Sequence, residues 1–306
     1  MNNILENSRC LVLGGSGFIG TNLCNQLLGK VKSLRIFDRA QGHIDGVEWV
    51  QGDFLSNDDL NNCTRDIDIV FHLITTSTPA SSLEDPVRDA QQNILQTLQL
   101  LESCRINGVK KVVFISSGGT IYGNSKVYPI PESTPENPIS PYGVSKSSIE
   151  KYIKLYEHLY GIKAVILRLS NPYGPFQTGR NQQGVIGTFI SKALSGVGVE
   201  IWGDGEVVRD YIYIDDVIEA IMMSAEYEGS HNTFNIGSGK GVSLLEIIHA
   251  IENALGKKIE VSFKTSRSID VQKSELDCSR AKSEFGFEAS IDISVGVKNT
   301  IQWFRK

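Results

Sequence analysis

The sequence predicts an α/β fold built on a doubly wound parallel sheet. Three observations carry that reading. Short apolar runs alternate with helical patterns through the first half of the 306 residues. Those runs are apolar at successive positions, as strands covered on both faces are. The first run ends in a glycine-rich turn that opens a helix.

In order along the chain, candidate strands are Cys10–Leu13, Ser33–Phe37, Val47–Val50, Ile69–Leu73, Val112–Ile115 and Ala164–Leu167. Helical patterns fall between them near Phe18–Leu28, Asp58–Cys63, Val87–Ile106 and Tyr142–Leu159. After residue 170 the texture changes, and "NPYGPFQTGRNQQG" and "WGDGEVVRDY" read as long functional loops. "YIYIDDVIEAIMMSA" returns to a strand and then a helix capped near Asp215 or Asp216. "TFNIGSGKGVSLLEIIHAIENALG" does the same with Ser243 as cap. The expected organisation is one domain over 1–171 that the chain re-enters at about 212–237. A smaller, discontinuous α/β domain is expected over 172–211 and 238–306. No fixed period repeats, which excludes a solenoid.

Composition narrows the function classes. The net charge is 30 − 35 = −5 without basic runs, so nucleic acid is not an expected partner. No apolar run approaches the ~18 residues of a membrane helix. The opening "MNNILENSRC" lacks the basic and apolar regions of a signal peptide. Cys10, Cys24, Cys63, Cys104 and Cys278 are odd in number and scattered, with no C-x-x-C pair. Reduced thiols in a cytoplasmic protein are expected, rather than a disulfide framework or a metal site.

"RCLVLGGSGFIGTNLCNQLL" places its glycines between a strand and a helix. Gly14, Gly17 and Gly20 fit a dinucleotide fingerprint: glycine allows the tight turn and close approach to a pyrophosphate. The helix N-terminus at Phe18 and Ile19 then offers free N–H groups to the phosphates. Asp38 follows Gly20 by 18 residues, at the end of the second strand. An acidic side chain there accepts from ribose hydroxyls and repels a 2′-phosphate, which favours NAD. Arg39 beside it works the other way, since an arginine accommodates that phosphate. Asp53, after the third strand, either reaches the adenine or caps a turn.

"NPISPYGVSKSSIEKYIKLYEHLYG" reads as a helix capped by Ser140 with Pro141 in its first turn. Tyr142 and Lys146 are four apart and share a helical face. A phenol is a poor base at neutral pH, with a pKa of about 10. A nearby ammonium stabilises the phenolate, so the pair can take a proton from an alcohol while hydride leaves.

The glycine turn, the Ser117–Tyr122 strand end and Tyr142-x-x-x-Lys146 together resemble the extended short-chain dehydrogenase/reductase superfamily. Within it the chain is similar to the nucleotide-sugar branch of epimerases, 4,6-dehydratases and 4-keto reductases. "IWGDGEVVRDYIYIDDV" and "LDCSRAKSEFGFE" look like that branch's nucleotide-diphosphate loop and C-terminal signature. The resemblance covers nearly the whole chain and implies a Rossmann domain with bound NAD. It also implies that Phe18 and Ile19 sit on the pyrophosphate and that Asp53 and Phe54 flank the adenine. Leu73, Thr75 and Ser77 would run beside the cofactor, with Asn93 facing it. On the substrate side it implies Asn171 at the sugar diphosphate and Arg209 at the phosphates. Arg267 and Asp270 match an R-P-G-D pattern whose proline and glycine are missing here.

The reaction is read by elimination and from that resemblance. A dehydratase of this branch needs an adjacent acid pair, and its positions hold Gly119 and Thr120. A 4-keto reductase often prefers NADPH, which Asp38 opposes. A 4-epimerase needs no further acid, and C4 epimerisation of a nucleotide hexose is the expectation. Reduction of a nucleotide 4-keto-6-deoxy sugar stands as the alternative. A dinucleotide sensor without catalysis is countered by the intact Tyr142 and Lys146. The usual catalytic hydroxyl of the family falls at Gly118, so Thr120 or Ser117 must replace it if any group does. Ser274 matches a position near sugar C2 where a small residue admits an N-acetyl group. Apolar residues on more than one stripe of two helices, among them Ile94, Leu98 and Leu101 and Ile149, Ile153 and Tyr156, lead us to expect a homodimer through a four-helix bundle.

Overall fold

The computed structural model describes residues 3–42, 44–177, 184–265, 271 and 273–306. Strand β1 (Arg9–Leu13) leads through the glycine turn into helix α1 (Phe18–Leu27) and strand β2 (Ser33–Asp38). β3 (Glu48–Gln51), α2 (Asn57–Cys63) and β4 (Ile69–His72) follow. Two short helices, α3 (Pro79–Glu84) and α4 (Pro86–Asp89), precede a π-helical turn at Ala90–Leu95 and helix α5 (Gln96–Ile106). Then come β5 (Lys111–Ser117), the long α6 (Pro141–Tyr160), β6 (Lys163–Leu169) and β7 (Asn171–Tyr173). The remainder is α7 (Val185–Leu194), β8 (Val199–Trp202), β9 (Val208–Tyr213), α8 (Ile214–Glu226), β10 (Thr233–Ile236), β11 (Gly241–Ser243), α9 (Leu244–Leu255), β12 (Val261–Lys264), β13 (Lys273–Ser274), α10 (Ser279–Phe285) and α11 (Ile293–Phe304).

Seven strands form one parallel sheet in the order β10-β6-β5-β4-β1-β2-β3. Side chains alternate across a strand, and here both faces are buried. Cys10 and Val12 join one apolar cluster with Leu23 and Cys24 of α1 and Val217 and Ile221 of α8. Leu11 and Leu13 join the other, with Leu60 of α2, Leu101 of α5 and Ile153 of α6. Helices on both faces define the doubly wound fold. The strand order reverses between β1 and β4, and in such sheets ligands bind there, at the carboxyl ends of the strands.

A smaller lobe faces those ends. β9 is its hub, pairing with β7 and β13 in parallel and with β11 in antiparallel fashion, while β8 and β12 form a separate parallel pair. β10, by contrast, is an edge strand of the large sheet. The first cluster runs on into this lobe through Tyr173, Tyr213, Ile247 and Ile301.

Local signals explain the helix ends. The Ser140 hydroxyl accepts from Gly143 N at 3.2 Å, Pro141 opens α6, and Gly161 closes it at φ 70°. Ser243 caps α9 in a capping box with Glu246. Two expectations change. α8 starts from Tyr213 and takes no side-chain cap; Asp215 and Asp216 lie in its first turn. The Asp216 carboxylate instead accepts from Ser290 N, its hydroxyl and Ile291 N, tying α8 to the segment before α11. The pattern over Val87–Ile106 is not one α-helix, because the turn at Ala90–Leu95 widens it in the middle.

Candidate active site

The glycine turn is built for close packing. Gly14 sits at φ +89°, left-handed backbone that a side chain resists. A Cβ on Gly20 would fall 2.1 Å from the Gly14 carbonyl oxygen, so only glycine lets α1 lie on the turn. α1 begins after Gly17 with no side-chain cap. Its first N–H groups therefore meet the cleft at the positive end of the helix dipole. Asp38 lies beside the turn: its carboxylate accepts from Ser16 N at 2.9 Å and Arg39 N at 2.7 Å. Arg39 is exposed next to it. These features fit a dinucleotide, with the pyrophosphate on the turn and a ribose at Asp38.

A cleft of about 930 Å³ runs from this turn to the smaller lobe. Gly14, Gly17, Phe18, Ile19 and Gly20 line one end, and Asn171 and Arg209 the other. Leu73, Thr75, Ser77 and Tyr142 line it between them.

Tyr142 and Lys146 share the inner face of α6. Lys146 is 6% exposed, and its Nζ donates to the Ile115 carbonyl at 2.9 Å. The same ammonium lies 4.7 Å from the Phe114 ring centroid and 5.7 Å from that of Tyr142. Burial lowers its pKa to about 8, against the pull of Glu150 and Asp89. Burial, aided by the Asp89 charge, raises the Tyr142 phenol to about 12, and a hydrogen bond with the Thr75 hydroxyl opposes this. Burial thus favours the neutral phenol, an effect that a positive charge in the cleft would oppose.

The strand end beside them holds the candidate hydroxyls. Ser116 is committed to Glu150, donating to Oε1 at 2.6 Å. Ser117 is half-buried at the end of β5. The Thr120 hydroxyl is buried without a hydrogen-bond partner among the described residues. Its backbone touches the start of α6, since a Cβ on Gly143 would meet Thr120 O at 2.9 Å.

Several expected contacts fall elsewhere. Phe54 is buried in the core, its ring 5.4 Å from that of His72, and it does not line the cleft. Asp53 caps its own turn by accepting from Leu55 N at 3.0 Å. Asn93 is buried in the π turn, where it holds the 75–77 loop rather than facing the cleft. Its Oδ1 accepts from Thr76 N at 3.0 Å, and its Nδ2 donates to Ser77 Oγ at 3.2 Å. Ser274 is 1% exposed on β13, in register with Arg209 of β9. Arg267 and Asp270 lie outside the described residues. Asn171 donates to the Asp210 carbonyl at 3.0 Å, and Arg209 Nη1 to Val208 O at 2.9 Å. The sequence reading missed Glu84, Trp202 and Tyr211, which also line the cleft. Trp202 and Tyr211 lie within the nucleotide loop already singled out; nothing in the sequence pointed to Glu84.

One cleft thus joins a dinucleotide-type turn to a Tyr–Lys pair on a doubly wound fold. The chain belongs to the NAD dependent epimerase/dehydratase family, whose model matches residues 10–237. It is 36% identical over 301 residues to a putative UDP-glucose 4-epimerase of Methanocaldococcus jannaschii, covering 96% of this chain and 98% of that one. A UDP-glucose 4-epimerase from Thermotoga maritima, solved with UDP-glucose, superposes with a TM-score of 0.93 at 36% identity, over 97% of this chain and 98% of that one. A UDP-N-acetylglucosamine 4-epimerase from Methanobrevibacter ruminantium, solved with UDP-N-acetylmuramic acid, gives 0.92 at 31% identity, over 98% and 99%.

Proposed function

We propose that this protein inverts C4 of a UDP-hexose, with bound NAD accepting the C4 hydride and returning it to the opposite face. The observation that carries the reading is the position of Tyr142. It lies in one cleft with the glycine turn and with Asn171 and Arg209, and the Lys146 ammonium lies beneath it. Tyr142 takes the proton of the C4 hydroxyl as the hydride leaves and gives it back after the 4-keto sugar has turned over. Lys146 stabilises the phenolate between those steps. Thr120 is the favoured replacement for the missing family hydroxyl, because its Oγ1 is buried and unpartnered among the described residues and its backbone carbonyl lies at the first turn of α6. Asn171 and Arg209 bind the diphosphate. Gly119 has open space around it but no acid to expel a C6 hydroxyl, which argues against dehydration.

The likeness to the M. ruminantium enzyme, and the small Ser274 paired in register with Arg209 of the cleft, support N-acetylhexosamines as further substrates. The exposed faces of α5 and α6 carry Ile106, Val144, Leu155 and Leu159. This stripe differs from the one read from sequence, where Leu101, Ile149, Ile153 and Tyr156 turn inward. It supports a homodimer through these helices, and a monomer by sedimentation would refute that.

The functional test is to identify the cofactor retained by the purified protein and then incubate it with UDP-glucose, or UDP-N-acetylglucosamine, without added NAD. Retained NAD and C4 inversion are expected. A requirement for added NADPH and a 4-keto sugar would establish the reductase instead.

A further inference from the structure

Asp89 is 3% exposed and ends α4 where the π turn begins. The hydrogen bonds its carboxylate accepts come from neutral donors on three elements. Ser145 of α6 donates to Oδ2 at 2.5 Å. Ser77, on the loop after β4, donates to Oδ1 in a short bond, and Asn93 Nδ2 reaches the same oxygen at 3.1 Å. Asn93 in turn accepts from Thr76 N at 3.0 Å and lies 3.5 Å from the Thr75 hydroxyl. Thr75 and Tyr142 line the same cleft, where the Thr75 hydroxyl favours the Tyr142 phenolate. Ser145 precedes Lys146 and follows Tyr142 by one helical turn.

We infer that Asp89 is a positioning residue for the Tyr142–Lys146 pair, one buried carboxylate clamping the catalytic helix to the loop that carries Thr75. The assignment rests on the proposed oxidation of a sugar alcohol at Tyr142. A π turn is a costly irregularity in a helix and marks functional sites often. At this turn Asp89 and Asn93, four residues apart, both meet Ser77. The clamp ties the helix that carries Tyr142 and Lys146 to the loop that carries Thr75, and misplacement by about 1 Å costs roughly a hundredfold in rate. The carboxylate also places negative charge near both groups, which favours the Lys146 ammonium and disfavours the phenolate. The other ionisable groups around the pair are Glu150 on α6, held by Arg168 of β6, His72 of β4, and Glu84 of α3 at the cleft.

Two variants separate position from charge. Asp89→Asn keeps the shape but removes the charge and one of the two acceptor oxygens. Ser145→Ala keeps the charge and releases the helix. Both are compared with the wild-type holoenzyme for kcat, KM, pH profile and hydrogen exchange at residues 73–78. We expect kcat to fall about tenfold in each with KM within twofold, a transition-state effect, and faster exchange in the loop. In Asp89→Asn both limbs of the kcat profile move toward acid, because the phenol and the ammonium each lose a nearby negative charge. In Ser145→Ala they stay in place. Wild-type kcat, profile and exchange in both variants would overturn the clamp. Should Asp89→Asn fail to fold, Ser145→Ala and Ser77→Ala decide the matter. Should the wild type itself not invert C4, the functional reading fails, and the exchange comparison alone decides the clamp.

Discussion

A Cβ on Gly118 would fall 2.5 Å from Cδ1 of Leu276 and 3.0 Å from the carbonyl oxygen of Arg168. The leucine methyl can move; the backbone of β6 cannot. Gly118 N also donates to Leu169 O at 2.7 Å, which presses the end of β5 against β6. A side chain at Gly118, where the resemblance implies the usual hydroxyl, would crowd β6. Gly118→Ser is therefore expected to lower stability by about 1–3 kcal/mol through overpacking, read as an earlier denaturant midpoint, with no gain in rate. An unchanged midpoint would show that the strand end relaxes.

Thr120→Val tests the displaced hydroxyl. Its Oγ1 is buried without a hydrogen bond among the described residues, so a methyl of the same shape removes an unsatisfied group. Stability should hold or rise by up to about 1 kcal/mol. If the hydroxyl meets the reacting oxygen, kcat falls about tenfold to a hundredfold. A folded variant with full activity would transfer the role to Ser117, and Ser117→Ala would then show the loss.

The parallel sheet was legible because its strands are buried on both faces, and the Tyr142 helix because Ser140 and Pro141 punctuate its start. The cofactor turn was legible because Gly14 and Gly20 are forced by backbone geometry rather than chosen for chemistry. Phe54 and Asn93 were assigned to the cofactor, yet one packs on His72 and the other braces a loop. Nothing local separates a pocket residue from a core residue one turn away. The π turn was invisible for a related reason: an extra residue in one turn shifts the apolar period by less than a short window resolves. Ser274 is expected near sugar C2 from resemblance alone; its pairing with Arg209 of β9 is a contact 65 residues distant in sequence, which no local pattern shows.

Behind the catalytic helix lies a buried ion network. Arg168 donates to both oxygens of Glu150, at 3.0 and 2.7 Å, and to Glu136 at 2.5 Å. Its Nη1 reaches the Tyr122 hydroxyl at 3.0 Å. Arg168→Met leaves Glu150 buried without this partner and is expected to cost about 3–5 kcal/mol. Arg168→Met/Glu150→Met removes both charges and should recover part of the loss by the same reasoning. Calorimetry of the two variants checks this. A double variant no more stable than the single one would mean that Glu150 is held chiefly by Ser116 and not by the arginine.

Lys146 should trade stability for activity. Its folded-state pKa is lowered to about 8, with burial as the chief cause. Below that value the lysine is charged in both folded and unfolded chains, and the folded state bears the full cost of burying it. Between about 8 and the ordinary lysine value near 10.4 the unfolded chain holds the extra proton, so the cost fades as pH rises. Lys146→Met should therefore raise stability by roughly 1–3 kcal/mol at pH 7 and by clearly less at pH 10. It should also lose at least a hundredfold in rate, because the phenolate then forms without its cation. Denaturant titrations at the two pH values give the comparison. A gain that is equal at both would show that the methionine acts through packing, and that the buried ammonium bears no net cost at neutral pH.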